Sequence, residues 1–207
     1  MLSKGRLGLL LLLLMSCSSR FVQLSHPQSS RPHVIKVVPN HKYNLDAIFS
    51  GEDITVGNRT EKWVRQVTIR SAVTGNEIRF SRPDGPSPSD FGALDIEIWS
   101  PDEEFLVLPL DRFHGFCIIR AEETIPLLQK QSCSDMVRAT TETGGVLWHQ
   151  FERWDGNEAF IFSSGLYGDL TRLKYQIPSG KLTSLDSNFS FLRGYNSEGK
   201  IEITRAP

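Results

Sequence analysis

The chain has 207 residues, a formal net charge of −1, 39% hydrophobic and 23% charged residues. That length supports one domain with a sizeable core, and the composition is that of a globular protein. With no basic excess and no basic patch, nucleic-acid binding has no electrostatic basis.

The chain opens on Lys4 and Arg6, then an apolar run from Leu7 to Met15, then Ser16-Cys17. The run is about nine residues, against the roughly 20 that a membrane-spanning helix needs. A short apolar core behind two cations predicts a secretory leader. Leu14-Met15-Ser16-Cys17 resembles the bacterial lipobox, with a small residue before the cysteine and no aspartate after it. That resemblance implies an acyl chain on Cys17 and a protein tethered to the outer membrane or the periplasmic face. An ordinary cleaved leader and a freely secreted protein is the other reading. Residues 1–17 are then leader, 18–39 a Ser/Pro-rich tether and 40–207 the folded domain.

The domain reads as strands. Val34 to Val38 is a short β-branched run. Trp63 to Ile69 alternates, but Arg65 interrupts the face formed by Trp63, Val67 and Ile69. Thr74-Gly75-Asn76-Glu77 is a turn, and Ile78 to Phe80 resumes the extended pattern. Ser81 to Gly92 is a proline-rich loop. Ala93 to Trp99 alternates again. Phe105 to Leu110 and Phe116 to Ile119 are unbroken apolar runs suited to buried strands. The one helix candidate lies within Thr124 to Thr140, best as a short helix capped by Ser134 or Asp135. Strands follow at Val146–Glu152, Glu158–Phe162, Thr171–Ile177, Asn188–Leu192 and Lys200–Thr204, the last two as a hairpin around Asn196 to Gly199.

Two segments echo each other. Trp99-Ser100-Pro101-Asp102-Glu103-Glu104-Phe105 and Trp154-Asp155-Gly156-Asn157-Glu158-Ala159-Phe160 share Trp, Glu and Phe at the same offsets. The run from Ser100 to Val107 resembles the S-P-D-G turn of TolB-type and WD-type β-propeller repeats, with Glu103 where those repeats carry glycine. Tyr175 to Leu182 is similar to the end of the third strand of such a blade. The resemblance implies antiparallel, blade-like sheets. The chain holds about three such units, where closed propellers use four to eight. The expectation is an all-β fold, incomplete propeller-like or a β-sandwich, with at most one short helix.

Three cysteines is an odd count for an exported protein. If Cys17 carries lipid, Cys117 and Cys133 remain and can pair in an oxidising compartment. Cys117 reads equally as a buried free thiol.

Chemistry is sparse. G-x-S-x-G, H-E-x-x-H, C-x-x-C, a Walker glycine loop and an EF-hand are all missing from the sequence, so no metal, cofactor or catalytic residue is assigned. His114 follows Asp111 in Asp111-Arg112-Phe113-His114, and His149 lies near Glu152 and Asp155. Either histidine is a candidate ligand contact or general base, and either also reads as a structural side chain. The aromatics crowd the C-terminal half and mostly read as core. Trp148 and Tyr167 are set among polar residues and are the best candidates for ligand contact, Tyr167 in the flexible loop Ser163 to Asp169. Asn58 and Asn188 match the glycosylation acceptor pattern, which a bacterial host leaves unused and a eukaryotic host would use, with Cys17 then unlipidated.

Two functions follow. One is a lipid-anchored, non-catalytic module that binds an envelope protein or glycan. The other is an envelope hydrolase working through loop acids or histidines.

Overall fold

The computed structural model describes residues 28–29, 31–56, 58–81, 97–111, 115–124, 133–145, 147–166, 168–187 and 189–206. They build three sheets of five strands each. Sheet I holds β1 (Gln28–Ser29), β2 (His33–Asn40), β3 (Leu45–Val56), β4 (Arg59–Ser71) and β5 (Glu77–Ser81). β4 covers one edge of β3 along its length, so β1 and β2 lie end to end on the other. The folded domain therefore takes in residues whose composition reads as tether.

Sheet II runs β6 (Phe105–Asp111), β7 (Gly115–Arg120), β8 (Asp135–Thr141), β13 (Leu192–Asn196) and β14 (Gly199–Ile201). Residues 97–99 lie outside β6 through a Trp99–Leu106 bridge. Sheet III runs β9 (Trp148–Trp154), β10 (Ala159–Leu166), β11 (Asp169–Gln176), β12 (Lys181–Ser184) and β15 (Ile203–Arg205). β15 is parallel to β12; the other strand pairs are antiparallel. The fold is all-β, as the strand pattern predicts.

Sheet II is the middle layer. Leu106, Leu108, Cys117 and Ile119 pack on Leu45, Phe49, Val67 and Ile69 of sheet I. The alternate residues Phe105, Val107, Phe116, Ile118 and Val137 pack on sheet III. Burial of both faces is why β6 and β7 read as unbroken apolar runs, where a one-sided sheet alternates. Each such side chain contributes about 1.5–3 kcal/mol on leaving water. Phe116 centres the second core, with edge-on contacts to Phe160 and Phe162 at 5.5 and 5.2 Å.

The two outer faces carry ion pairs, with Val37 on sheet I and Leu170 on sheet III also exposed. On sheet I, Asp46, Arg70 and Glu77 face one another across β3, β4 and β5, and Arg70 pairs with Asp46 at 3.1 Å. On sheet III, Lys174 pairs with Asp155 and Arg172 with Asp186. Charged outer pairs help a stack of sheets end in water. None of the three sheets closes into a barrel, and no propeller ring forms among the described residues.

Several local expectations are corrected. The helix expected from Ser134 is β8. Val137 and Ala139 alternate into the core, and β8 fills the gap between β7 and β13. A helix there would strip the ladder bonds from both neighbours, a larger loss than weak local propensity. The helical structure described there is a short 3-10 turn, Ala121–Glu123, running on to Thr124. The C-terminal hairpin is present but shifted, pairing β13 with β14. Its second strand then stops at Glu202, and β15 continues in sheet III. The interruption at Arg65 is a β-bulge: Gln66 faces Ser50 while Val64 faces Gly51. The extra residue turns Val64 inward beside Val67 and frees Arg65 to pair with Glu52 at 2.5 Å.

The repeated tryptophans do the same work. The Trp99 indole donates to the Val38 carbonyl at 3.1 Å, and the Trp154 indole to the Glu97 carbonyl at 2.6 Å. Each reaches back to the preceding sheet. The repeated phenylalanines are not equivalent. Ser100 N donates to Phe105 O, whereas Asp155 N donates to Ala159 O. The first turn is one residue longer, so Phe105 takes the place of Ala159 and Leu106 that of Phe160. A one-residue slip reverses the face. Phe105 looks toward sheet III, and Phe160 looks back toward sheet II.

Candidate functional site

The stack lines its connecting turns along one edge. Turn 41–44 of sheet I is lashed to turn 100–104 of sheet II. The Tyr43 hydroxyl donates to Glu104 at 2.5 Å, and the Lys42 ammonium bonds the other Glu104 oxygen. The Lys42 bond, then the Tyr43 bond, holds the Glu104 carboxyl below its usual range, and Lys42 and Tyr43 are raised in turn. Lys42 N also donates to Glu103 at 2.6 Å, and the Asn40 amide donates to the Glu103 carbonyl at 2.8 Å.

Asp135, at the head of β8, ties sheets II and III together. It accepts from the Tyr175 hydroxyl, the Ser197 hydroxyl (2.6 Å), Ser197 N (3.2 Å) and Met136 N (2.7 Å). Three of these donors share Oδ1, and the Tyr175 hydroxyl alone reaches Oδ2. Burial first, and the bond to Asp135 second, push the Tyr175 phenol well above its ordinary value. The phenol stays a donor at neutral pH. Sequence reading misses this hub, because its members lie 40 and 62 residues apart in the chain.

Two clefts open along this edge, divided by Pro178 and Ser179. The first, about 530 Å³, is lined by Asp102, Asp155, Asn157, Glu158, Lys174 and Gln176. It brings the two repeated turns together. The second, about 260 Å³, lies between sheets II and III, with Phe105, Ile118 and Ile177 beside Arg120, Asp135 and Glu198.

Cys117 and Cys133 form a disulfide with Cα atoms 5.5 Å apart. Cys117 is fully buried in the first core, and Cys133 packs against that core from the segment leading into β8.

Trp148 lies half-buried on the outer face of sheet III, opposite Gly165, which in turn faces Leu170. A side chain at Gly165 would strike the Asp169 carbonyl oxygen at 2.1 Å, so glycine is needed for the hairpin to close this tightly. Leu166 and Leu170 are exposed beside it. Trp148 thus stands beside the paired ends of β10 and β11. Tyr167, His114 and Cys17 lie outside the described residues.

His149 points the other way, into the second core. Its Nε2 accepts from Ala139 N at 2.9 Å, which makes that nitrogen the unprotonated one, and its ring packs by Phe116 and Phe162. Glu152 faces solvent and bonds Ser163, and Asp155 sits at the far end of β9 with Lys174. The structure does not bring His149 together with either acid. Among the described residues, no group of three or more His, Cys, Asp or Glu side chains is placed to hold a metal ion.

Comparison with protein families, curated proteins and solved structures finds no match to this chain.

Proposed function

We propose that this chain is an exported, lipid-anchored, non-catalytic binding module of the cell envelope. The observation that carries the binding role is the turn edge: three stacked sheets bring successive turns together and leave two adjoining clefts between them. Rigid sheets carrying recognition on their loops is a common division of labour. The disulfide supports the exported half of the reading, since such bonds persist in oxidising compartments. The leader and Cys17 support the anchor. The Trp148–Gly165–Leu170 row offers a second contact surface on sheet III.

The hydrolase reading has less behind it. Of the acids in the first cleft, Asp155 is paired with Lys174 at 2.5 Å, and Asp102 accepts from the Ser100 hydroxyl and Glu104 N. Carboxylates fixed this way serve the turns.

The test uses the full chain in a bacterial host. Wild type should fractionate with membranes, and Cys17→Ser should be released, because more than one acyl chain gives firm attachment. Equal membrane retention of both would sink the anchor. Envelope proteins and glycans captured by wild type should be lost by Trp148→Ala or by Asp155→Asn/Glu158→Gln. Turnover of a glycan or ester substrate that disappears in the second variant would instead establish the hydrolase.

A further inference from the structure

We propose that the cleft between sheets II and III binds a small amphipathic amino-carboxylate, and that Arg120 receives its carboxylate. The inference rests on the binding-module reading and adds the chemical class of ligand.

The cleft joins a mostly polar lining to a small apolar floor. Phe105 and Ile118 form the floor at the open edge of the second core, and Ile177 borders it from the turn after β11. Arg120 ends β7 at one side. Its guanidinium, on an exposed side chain, lies 5.4 Å from the Phe105 ring centre, a cation–π contact that places the charge at the cleft. Its charge reaches Glu104, yet among the described residues no carboxylate lies within ion-pair distance of it. Its backbone is pinned as well, since Arg120 N donates to the Ser134 hydroxyl at 3.2 Å. A guanidinium held over an aromatic ring at the cleft suits a planar carboxylate bound through two N–H groups.

The other charges narrow the class. Asp135 lines the cleft with three donors already on Oδ1 and the Tyr175 hydroxyl on Oδ2. Glu198, also in the lining, is exposed and has its side chain available. One cation against two acids disfavours a doubly charged anion such as a phosphate monoester. A ligand with one carboxylate and one amine satisfies Arg120 and Glu198 together, with an apolar side chain on the floor. Free α-amino acids and the ends of short peptides share that chemistry, and a volume of about 260 Å³ admits either.

The test is calorimetric titration of the full chain with leucine, the dipeptide Leu-Leu, Leu-Leu-amide and N-acetyl-Leu-Leu. Leu-Leu or leucine should bind. Amidation should weaken binding by about tenfold or more, the range for a charge-assisted pair. Arg120→Gln should weaken Leu-Leu by the same factor while leaving Leu-Leu-amide unchanged, which a merely folding-related effect would not do. Equal binding of leucine and Leu-Leu would assign the site to free amino acids, and stronger Leu-Leu to peptide ends. The proposal is overturned if amide and free acid bind alike, if Arg120→Gln binds like wild type, or if no probe binds. The last result leaves the binding-module reading to its own fractionation and capture tests.

Discussion

Glu103 occupies the left-handed region at φ 62°, where the matching second turn has Gly156 at φ 79°. A side chain there costs roughly 1–2 kcal/mol of backbone strain. The Glu103 carboxylate offsets it by accepting from Lys42 N at 2.6 Å. Glu103→Ala keeps the strain and loses that bond, whereas Glu103→Gly loses the bond and the strain together. The expected order in urea unfolding is wild type, then Glu103→Gly, then Glu103→Ala, with about 1 kcal/mol between the variants. An alanine variant as stable as the glycine variant would refute this. Tyr175 makes a pH-dependent case. Its phenol is raised above the ordinary value near 10 by burial and by Asp135. A raised folded value means that the folded state holds the proton more tightly. The stabilisation is therefore whole below about pH 10 and is lost as pH rises through the folded value. Tyr175→Phe should cost about 1–3 kcal/mol at pH 7 by taking the hydroxyl donor from Asp135 Oδ2. Its deficit against wild type should shrink above about pH 10. A constant deficit at pH 7, 9 and 11 would contradict it.

β8 and its disulfide illustrate the element scale. The stretch 135–141 has a middling local signal, and it becomes a strand because β7 and β13 both need a partner. The disulfide closes a loop of 16 residues that ends just before β8. Such a loop contributes about 3 kcal/mol on the chain-entropy model. Cys117→Ala/Cys133→Ala should lower stability by about that amount, and a thiol reductant should move wild type toward the variant without affecting the variant itself. An unchanged denaturation midpoint would show that packing around β8 suffices. The same element shows what local reading misses. The buried runs Phe105–Leu108 and Phe116–Ile119 announce strands, but nothing in them says which residue faces which core. Phe105 and Phe160 share an offset in the repeat and still face opposite ways, because one turn is longer by a residue.

For the whole molecule, the C-terminus is the stitch. After β14 in sheet II, Glu202 alone separates it from β15 in sheet III, and Ile201 and Ile203 both pack on the shared core. A chain ending at Ile201 should lose about 1–3 kcal/mol, from the apolar area of Ile203 and the pairing of β15 with β12. Sheet III should loosen first, with amides of β12 gaining hydrogen exchange before those of β3. Uniform exchange through all three sheets would mean that the stack opens as one unit.

The amino-acid order determined the all-β class, most turn positions, the repeated tryptophans and the pairing of Cys117 with Cys133 as one of two open readings. These are local matters: apolar runs, period-two alternation, Gly and Pro in turns, and a cysteine count. The tertiary structure decided the rest. It turned the expected helix into β8, resolved Arg65 as a bulge, sent His149 inward to Ala139 N, and gathered Asp135, Tyr175 and Ser197 from distant parts of the chain. The reason is physical. A strand has half its hydrogen bonds to satisfy with neighbours that no local window contains, and its two faces acquire meaning only when another sheet lies against them.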